Sequence, residues 1–125
     1  MNGRKYLLDT HIIIWAIDQT DKLSEQYRRL LEQEDQCVVS IASLWEIAIK
    51  KNLGKLEVRD DLPDFLQRTG VALLQVELPH IEAIRILPHH HRDPFDRMLI
   101  AQAMTENLSL LTVDRHFALY DVTIA

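Results

Sequence analysis

The chain has 125 residues, 47% hydrophobic and 26% charged, and its 14 Lys and Arg against 19 Asp and Glu leave a net charge of −5. That length suits one domain over residues 1–125, able to bury about two thirds of its unfolded surface without covalent staples. The charge excludes nucleic-acid binding by a basic surface alone, and Cys37, the single cysteine, excludes an intrachain disulfide and fits a reducing, cytoplasmic setting. The first apolar run is broken by Asp9 and His11, a poor signal peptide, and no stretch approaches the roughly 20 apolar residues of a membrane span.

Residues 5–8 read as a short buried strand ending at Asp9 and Thr10. Residues 12–17 follow as an apolar segment, read as helical, although its β-branched content leaves a strand open. Ser24 caps a helix over 25–34 whose inner stripe is Tyr27, Leu30 and Leu31, and 37–40 is a second strand. A helix over about 42–53 comes next, with Gly54 placed for a left-handed C-terminus. On it Ser43 and Glu46 have capping-box spacing, and Glu46 with Lys50 has the spacing of an i, i+4 ion pair. These structural roles are enough to explain Glu46 taken alone. Trp15 and Trp45 read as core.

Residues 62–68 predict a helix stopped by Gly70, 71–76 a strand, and Pro79 opens a helix through residue 86. Asp93 then caps a helix with Pro94 at its first position. Asp96 falls in the first turn of that helix, on the face it shares with Leu99, Ile100 and Ala103. An acid there is favoured by the helix dipole, and that alone could explain it; a carboxylate on a buried face also needs a cation or a donor. Residues 108–112 form a further buried strand, 115–119 a helical turn after Asp114, and 122–125 an edge strand.

Short apolar strands alternate with helices and hairpin signals are missing, so the fold class is α/β: a three-layer α/β/α sandwich with a mostly parallel central sheet of four to five strands. In such a sheet the strand C-termini and helix N-termini share one edge. Asp9 and Asp114 follow strands, and Glu46 and Asp96 lie near helix starts, so all four should meet there. Gathered carboxylates raise one another's pKa unless a cation joins them, and an all-oxygen set suits Mg²⁺ or Mn²⁺. The chemistry that follows is metal-assisted phosphodiester hydrolysis. Zinc fits less well, since Cys37 and the histidines have no zinc-ligand spacing.

Five segments carry a resemblance: residues 7–11 (LLDTH), 43–46 (SLWE), 54–56 (GKL), 90–103 (HHRDPFDRMLIAQA) and 111–115 (LTVDR). Together they resemble PIN domains, specifically the VapC-like toxins of type II toxin–antitoxin pairs, over almost the whole chain. The resemblance implies a PIN-like fold and a Mg²⁺- or Mn²⁺-dependent endoribonuclease, homodimeric and held inactive by a small antitoxin protein. It assigns metal ligation and catalysis to Asp9, Glu46, Asp96 and Asp114, with Asp9 and Asp96 as the principal ligands. Thr10, Ser43 and Thr112 match polar positions that orient metal-bound water, while Asp93 reads as the helix cap.

Lys50, Arg92, Arg97 and Arg115, with Lys51 and Lys55, could line an RNA path or form a solvated rim. His89, His90 and His91 read as a solvated loop beside the site, touching phosphate or a partner, with metal ligation the lesser reading. A receiver domain would need paired acids after the first strand and a late lysine, and a dehalogenase-type phosphatase would need Asp-x-Asp; neither pattern is present. A non-catalytic PIN-like module that binds RNA or protein is the remaining alternative.

Overall fold

The computed structural model describes residues 5–125. Five strands, β1 (Tyr6–Leu8), β2 (Cys37–Ser40), β3 (Ala72–Leu74), β4 (Ser109–Leu111) and β5 (Thr123–Ile124), form one sheet in the order β3-β2-β1-β4-β5. Every pairing is parallel; Tyr6 sits opposite both Cys37 and Ser109. Six helices connect them: α1 (Thr10–Asp18), α2 (Glu25–Leu31), α3 (Ile41–Asn52), α4 (Leu62–Thr69), α5 (Leu78–Arg85) and α6 (Pro94–Glu106). No helix among the described residues is long and apolar enough to cross a membrane.

The two-residue period of the strands divides the core into two layers. Leu8, Val39 and Leu111 face a cluster with Ile12, Ile13, Tyr27, Leu62 and Leu66. Their neighbours Leu7, Val38 and Leu110 face the opposite cluster, with Leu99, Ile100, Ala103 and Phe117. Strands buried on both faces read as continuous apolar runs, which is why the sequence shows no alternation in them.

Local chemistry sets the ends of the helices. Asp9 starts α1 by accepting from the amides of His11 and Ile12, which settles residues 12–17 as helix despite their β-branching. Asp93 starts α6, accepting from Phe95 and Asp96 at 2.8 and 3.0 Å, the cap role expected of it. Gly70 closes α4 at φ 79°, a conformation that other side chains resist.

Three readings are corrected. The cap of α3 is Ser40, whose hydroxyl accepts from the Ala42 amide, so Ser43 lies inside the helix and forms no capping box with Glu46. β2 runs directly into α3, and one residue both ends the strand and caps the helix. Trp45 is 63% exposed rather than core, with its ring edge-on to Phe95 at 5.1 Å. Helix α2 stops at Leu31, and a separate 3-10 turn covers Glu34–Gln36.

The chain runs outward from β1 through β2 to β3, then returns to β4 on the other side of β1. The strand order therefore reverses between β1 and β4. At such a switch point the connections leave in opposite directions and open a crevice beyond the strand C-termini. Asp9 and Thr112 immediately follow the two strands that border it.

Candidate active site

Asp9 is buried at 3% exposure, and its Oδ1 accepts from the amides of His11 and Ile12 at 2.7 and 3.2 Å. The Thr112 hydroxyl donates to its Oδ2 at 2.5 Å, and the same hydroxyl oxygen accepts the Asp114 amide at 3.0 Å. One threonine thus ties the end of β1 to the turn beyond β4. Tyr27 braces that turn from the other layer: its hydroxyl lies 3.0 Å from the Thr112 carbonyl and 3.3 Å from the Thr112 amide.

On the α3 side, the Thr10 hydroxyl donates to Glu46 Oε1 at 2.7 Å and lies 3.1 Å from the Ser43 hydroxyl. Lys50 Nζ meets the other oxygen of Glu46 at 2.9 Å, the ion pair expected from the spacing. Glu46 is 4% exposed, so this carboxylate is held by a donor at each oxygen. The Glu46 hydrogen bond raises the pKa of Lys50 in turn.

The α6 side is built around His91. Its Nε2 lies 3.0 Å from Asp114 Oδ2, in hydrogen-bond geometry, and 3.0 Å from Asp96 Oδ2, off the N–H axis. Asp114 Oδ1 takes the amide and the ring Nδ1 of His116 at 2.9 and 3.0 Å. Among the described residues no donor is directed at Asp96, although its side chain is only 20% exposed.

The electrostatics follow from these contacts. Burial, then the charge of Asp93, with Glu46 and Asp9 adding to it, pushes the Asp96 carboxyl up to about 7, and only His91 works against the shift. Burial also lifts Asp9, against its hydrogen bonds from Thr112, Ile12 and His11. Asp114 differs. Burial pushes it up, but the His116 amide and the rings of His91 and His116 outweigh that and hold it below its ordinary value. A largely buried carboxyl with three acidic neighbours favours any cation that can reach it.

The structure thus brings Asp9, Glu46, Asp96 and Asp114, with Thr10, Ser43 and Thr112, to one edge of the sheet, where, among the described residues, the trio whose ligand atoms lie within 4.8 Å of one another is His91, Asp114 and His116. Arg97 does not belong to the rim of this site. The arginine is 8% exposed, and its guanidinium donates to the carbonyls of Leu87, Pro88 and His91 and reaches the Tyr120 hydroxyl. It falls on the buried face of α6 and clamps the 87–91 loop. Arg92 and Arg115 are exposed, next in sequence to His91 and Asp114; Arg92, with His89, His91 and Arg97, lines a hollow of about 610 Å³.

Three contributors were not foreseen as part of the crevice. His91 is 15% exposed and sits among the acids instead of in a solvated loop. Its place depends on Tyr120, whose hydroxyl accepts the amides of His90 and His91 at 2.9 Å each. His116 had one local signal, its position two residues after Asp114, where an Asp side chain commonly turns back on its own backbone.

The family model for the PIN domain matches residues 6–122. Ribonuclease VapC22 of Mycobacterium tuberculosis (strain ATCC 25618 / H37Rv) is 27% identical over 112 residues, covering 87% of this chain and 86% of its own. Among solved structures, the chain is similar to one in VapBC2 from Rickettsia felis bound to a promoter DNA fragment, with TM-score 0.71, 20% identity and 95% of each chain covered. It is also similar to one in a toxin-antitoxin complex from Klebsiella pneumoniae, with TM-score 0.66, 17% identity and 97% of each chain covered. At those identities the two structures speak for the fold.

Proposed function

We propose, since the chain belongs to the PIN domain family, that it is a divalent-metal-dependent endoribonuclease and the toxin of a toxin–antitoxin pair. One observation carries the reading: the carboxylates of Asp9 after β1, Glu46 on α3, Asp96 on α6 and Asp114 after β4 lie at the sheet's switch point, with Asp9 and Glu46 close enough to Asp96 to help raise its pKa. The name of the mycobacterial relative supports RNA as substrate, and the Klebsiella complex supports a small antitoxin as partner.

The donor set fits a hard cation. Carboxylate oxygens are the ligands that Mg²⁺ and Mn²⁺ prefer, and Asp96 holds an oxygen with no directed donor. Asp9 and Asp96 are the principal ligands, with Glu46 and Asp114 completing the acidic wall. A bound metal supplies a water of lowered pKa and stabilises charge on the phosphate. The rest is done by the chain. Thr112 and the α1 amides fix the Asp9 carboxylate, Thr10, itself 3.1 Å from the Ser43 hydroxyl, orients Glu46 through Oε1, and Lys50 pairs with its Oε2. Arg92 and Arg115, exposed next in sequence to His91 and Asp114, are the cations nearest in sequence to these site residues to meet RNA phosphates.

A homodimer is part of the same reading. Trp45 and Ile49 on α3 and Leu53 at its C-cap recur at four-residue spacing and are 63%, 37% and 59% exposed, an apolar stripe that a second copy would cover.

The test is cleavage of RNA by purified protein free of its partner. EDTA should abolish cleavage, Mg²⁺ or Mn²⁺ should restore it, and Asp9→Asn and Asp96→Asn should each lower it by more than about a hundredfold. Parental cleavage by either variant, or cleavage that persists in chelator, would remove the metal-dependent reading. RNA binding with no cleavage under any metal would leave the non-catalytic module.

A further inference from the structure

We propose that His91 is a positioning residue of this site: an imidazole whose Nδ1 is held as an acceptor, so that its Nε2–H aims Asp114 beside Asp96 and the ring does not ligate the metal. The inference rests on the metal-binding reading of the acids and adds a role for a side chain outside that set.

The tautomer is fixed by a group that has no choice. The Asp93 backbone N–H lies 3.2 Å from His91 Nδ1, and a backbone amide can only donate, so Nδ1 must accept. In a neutral ring the proton then sits on Nε2, where it points at Asp114 Oδ2. The ring is held from other directions as well. Phe117 packs against it at 5.9 Å and 77°, the His91 amide donates to Tyr120, and the His91 carbonyl accepts from Arg97.

Distance alone suggests a different role. His91, Asp114 and His116 offer ligand atoms within 4.8 Å of one another, spacing that a transition metal could use. Chemistry separates the two. A metal-bound histidine ligates through one bare nitrogen and donates its other N–H to an acceptor. For His91 to ligate through Nε2, Nδ1 would carry a hydrogen facing the hydrogen of the Asp93 amide, and the 3.2 Å bond would become a clash. Asp93 therefore acts twice: its side chain caps α6, and its amide sets the histidine.

The consequence is geometric. Asp96 Oδ2 and Asp114 Oδ2 both lie 3.0 Å from one nitrogen, whose single hydrogen goes to Asp114, so the ring fixes the carboxylate of the turn after β4 at a set place beside the one on α6. A site assembled in advance does not have to be ordered when the cation arrives.

Long-range ¹H–¹⁵N spectra of metal-free protein test the tautomer. His91 should show a protonated Nε2 and an unprotonated Nδ1, and should keep that pattern when Mg²⁺ is added. A protonated Nδ1, or loss of the Nε2 proton on adding Mg²⁺, would make His91 a ligand and overturn the proposal. Mn²⁺ titrations of folded variants test the consequence. His91→Leu should weaken binding by about tenfold or more, and His91→Gln, which restores an N–H of similar reach, should recover most of it. Parental Mn²⁺ affinity in His91→Leu, or no recovery in His91→Gln, would also overturn it. If the parental chain takes up no Mn²⁺, the metal reading of the acids fails, and the spectra still decide the tautomer.

Discussion

Two histidines in this molecule are held in the same way, in regions with opposite character. His80 on α5 is fully buried; its Nδ1 accepts the Glu77 amide at 3.0 Å, and its Nε2 meets Glu106 Oε2 at 2.9 Å. His91 has the same arrangement, with the Asp93 amide at Nδ1 and Asp114 at Nε2. Around His80 the N–H meets Glu106 with Glu77 the second carboxylate within 4.8 Å, Gln102 lies 3.4 Å from Nδ1, and the cluster fastens α5 to α6. Around His91 a second carboxylate, Asp96, shares the nitrogen, and Asp9 and Glu46 stand close enough to raise its pKa. Burial of polar groups is common to both. What sets the crevice apart is an excess of carboxylates over donors, a state that folding alone has no reason to build.

The contrast should break most visibly in paired variants. Asp9→Asn should abolish metal-dependent cleavage while leaving the melting temperature unchanged or higher, because the lost charge was costly in the metal-free fold. His80→Ala should do the reverse. Emptying a fully buried site and stranding the Glu77 amide should cost about 2–4 kcal/mol in a urea melt, with cleavage per folded molecule unchanged.

A smaller effect lies in the pH dependence of the metal-free protein. The Asp96 carboxyl titrates at about 7 when folded, against 3.8 for the free group. Between those values the folded state binds the extra proton, so the contribution of Asp96 to stability is greatest below about pH 4 and falls as pH rises toward 7. With solvent screening halving the full linkage of a partly exposed group, the loss is about 2 kcal/mol, and Asp96→Asn should flatten the profile. Urea melts in EDTA from pH 4 to 7 measure it; a profile equally steep in the variant would place the titrating group elsewhere.

Asp93→Ala sharpens the division of labour at α6. It removes the cap and should cost about 1 kcal/mol, yet it keeps the backbone N–H that sets His91, so cleavage should fall much less than in Asp96→Asn. The smallest effect is expected at the rim. Arg92→Ala should weaken RNA binding and reduce its salt slope by about one, while melting as the parent does.

The fold was largely legible because its signals are local. Asp93-Pro94, Ser24 and Gly70 mark helix ends by side-chain chemistry within a turn, and the apolar runs at 37–40 and 108–112 mark strands buried on both faces. The placing of Asp9, Glu46, Asp96 and Asp114 at one edge was legible too, because a parallel sheet sends strand ends and helix starts there. His91 was not. Its loop is pinned by Tyr120 and Arg97, contacts distant in sequence that leave no periodic trace, so a run of three histidines read as solvated. Arg97 and Trp45 failed for a related reason. Charge and apolarity gave their faces opposite to those that the packing of α6 and α3 gives them. Ser43 was mistaken for a cap because the true one, Ser40, belongs to the preceding strand.

The central claim is that the excess carboxylates hold a divalent cation, and Mn²⁺ binding measured by paramagnetic resonance on the isolated chain tests it most directly. Saturable uptake that Mg²⁺ displaces, and that is lost in both Asp9→Asn and Asp96→Asn while His80→Ala retains it, is the expected result. Uptake that is equal in all of these proteins, or absent from the parent, would contradict the account.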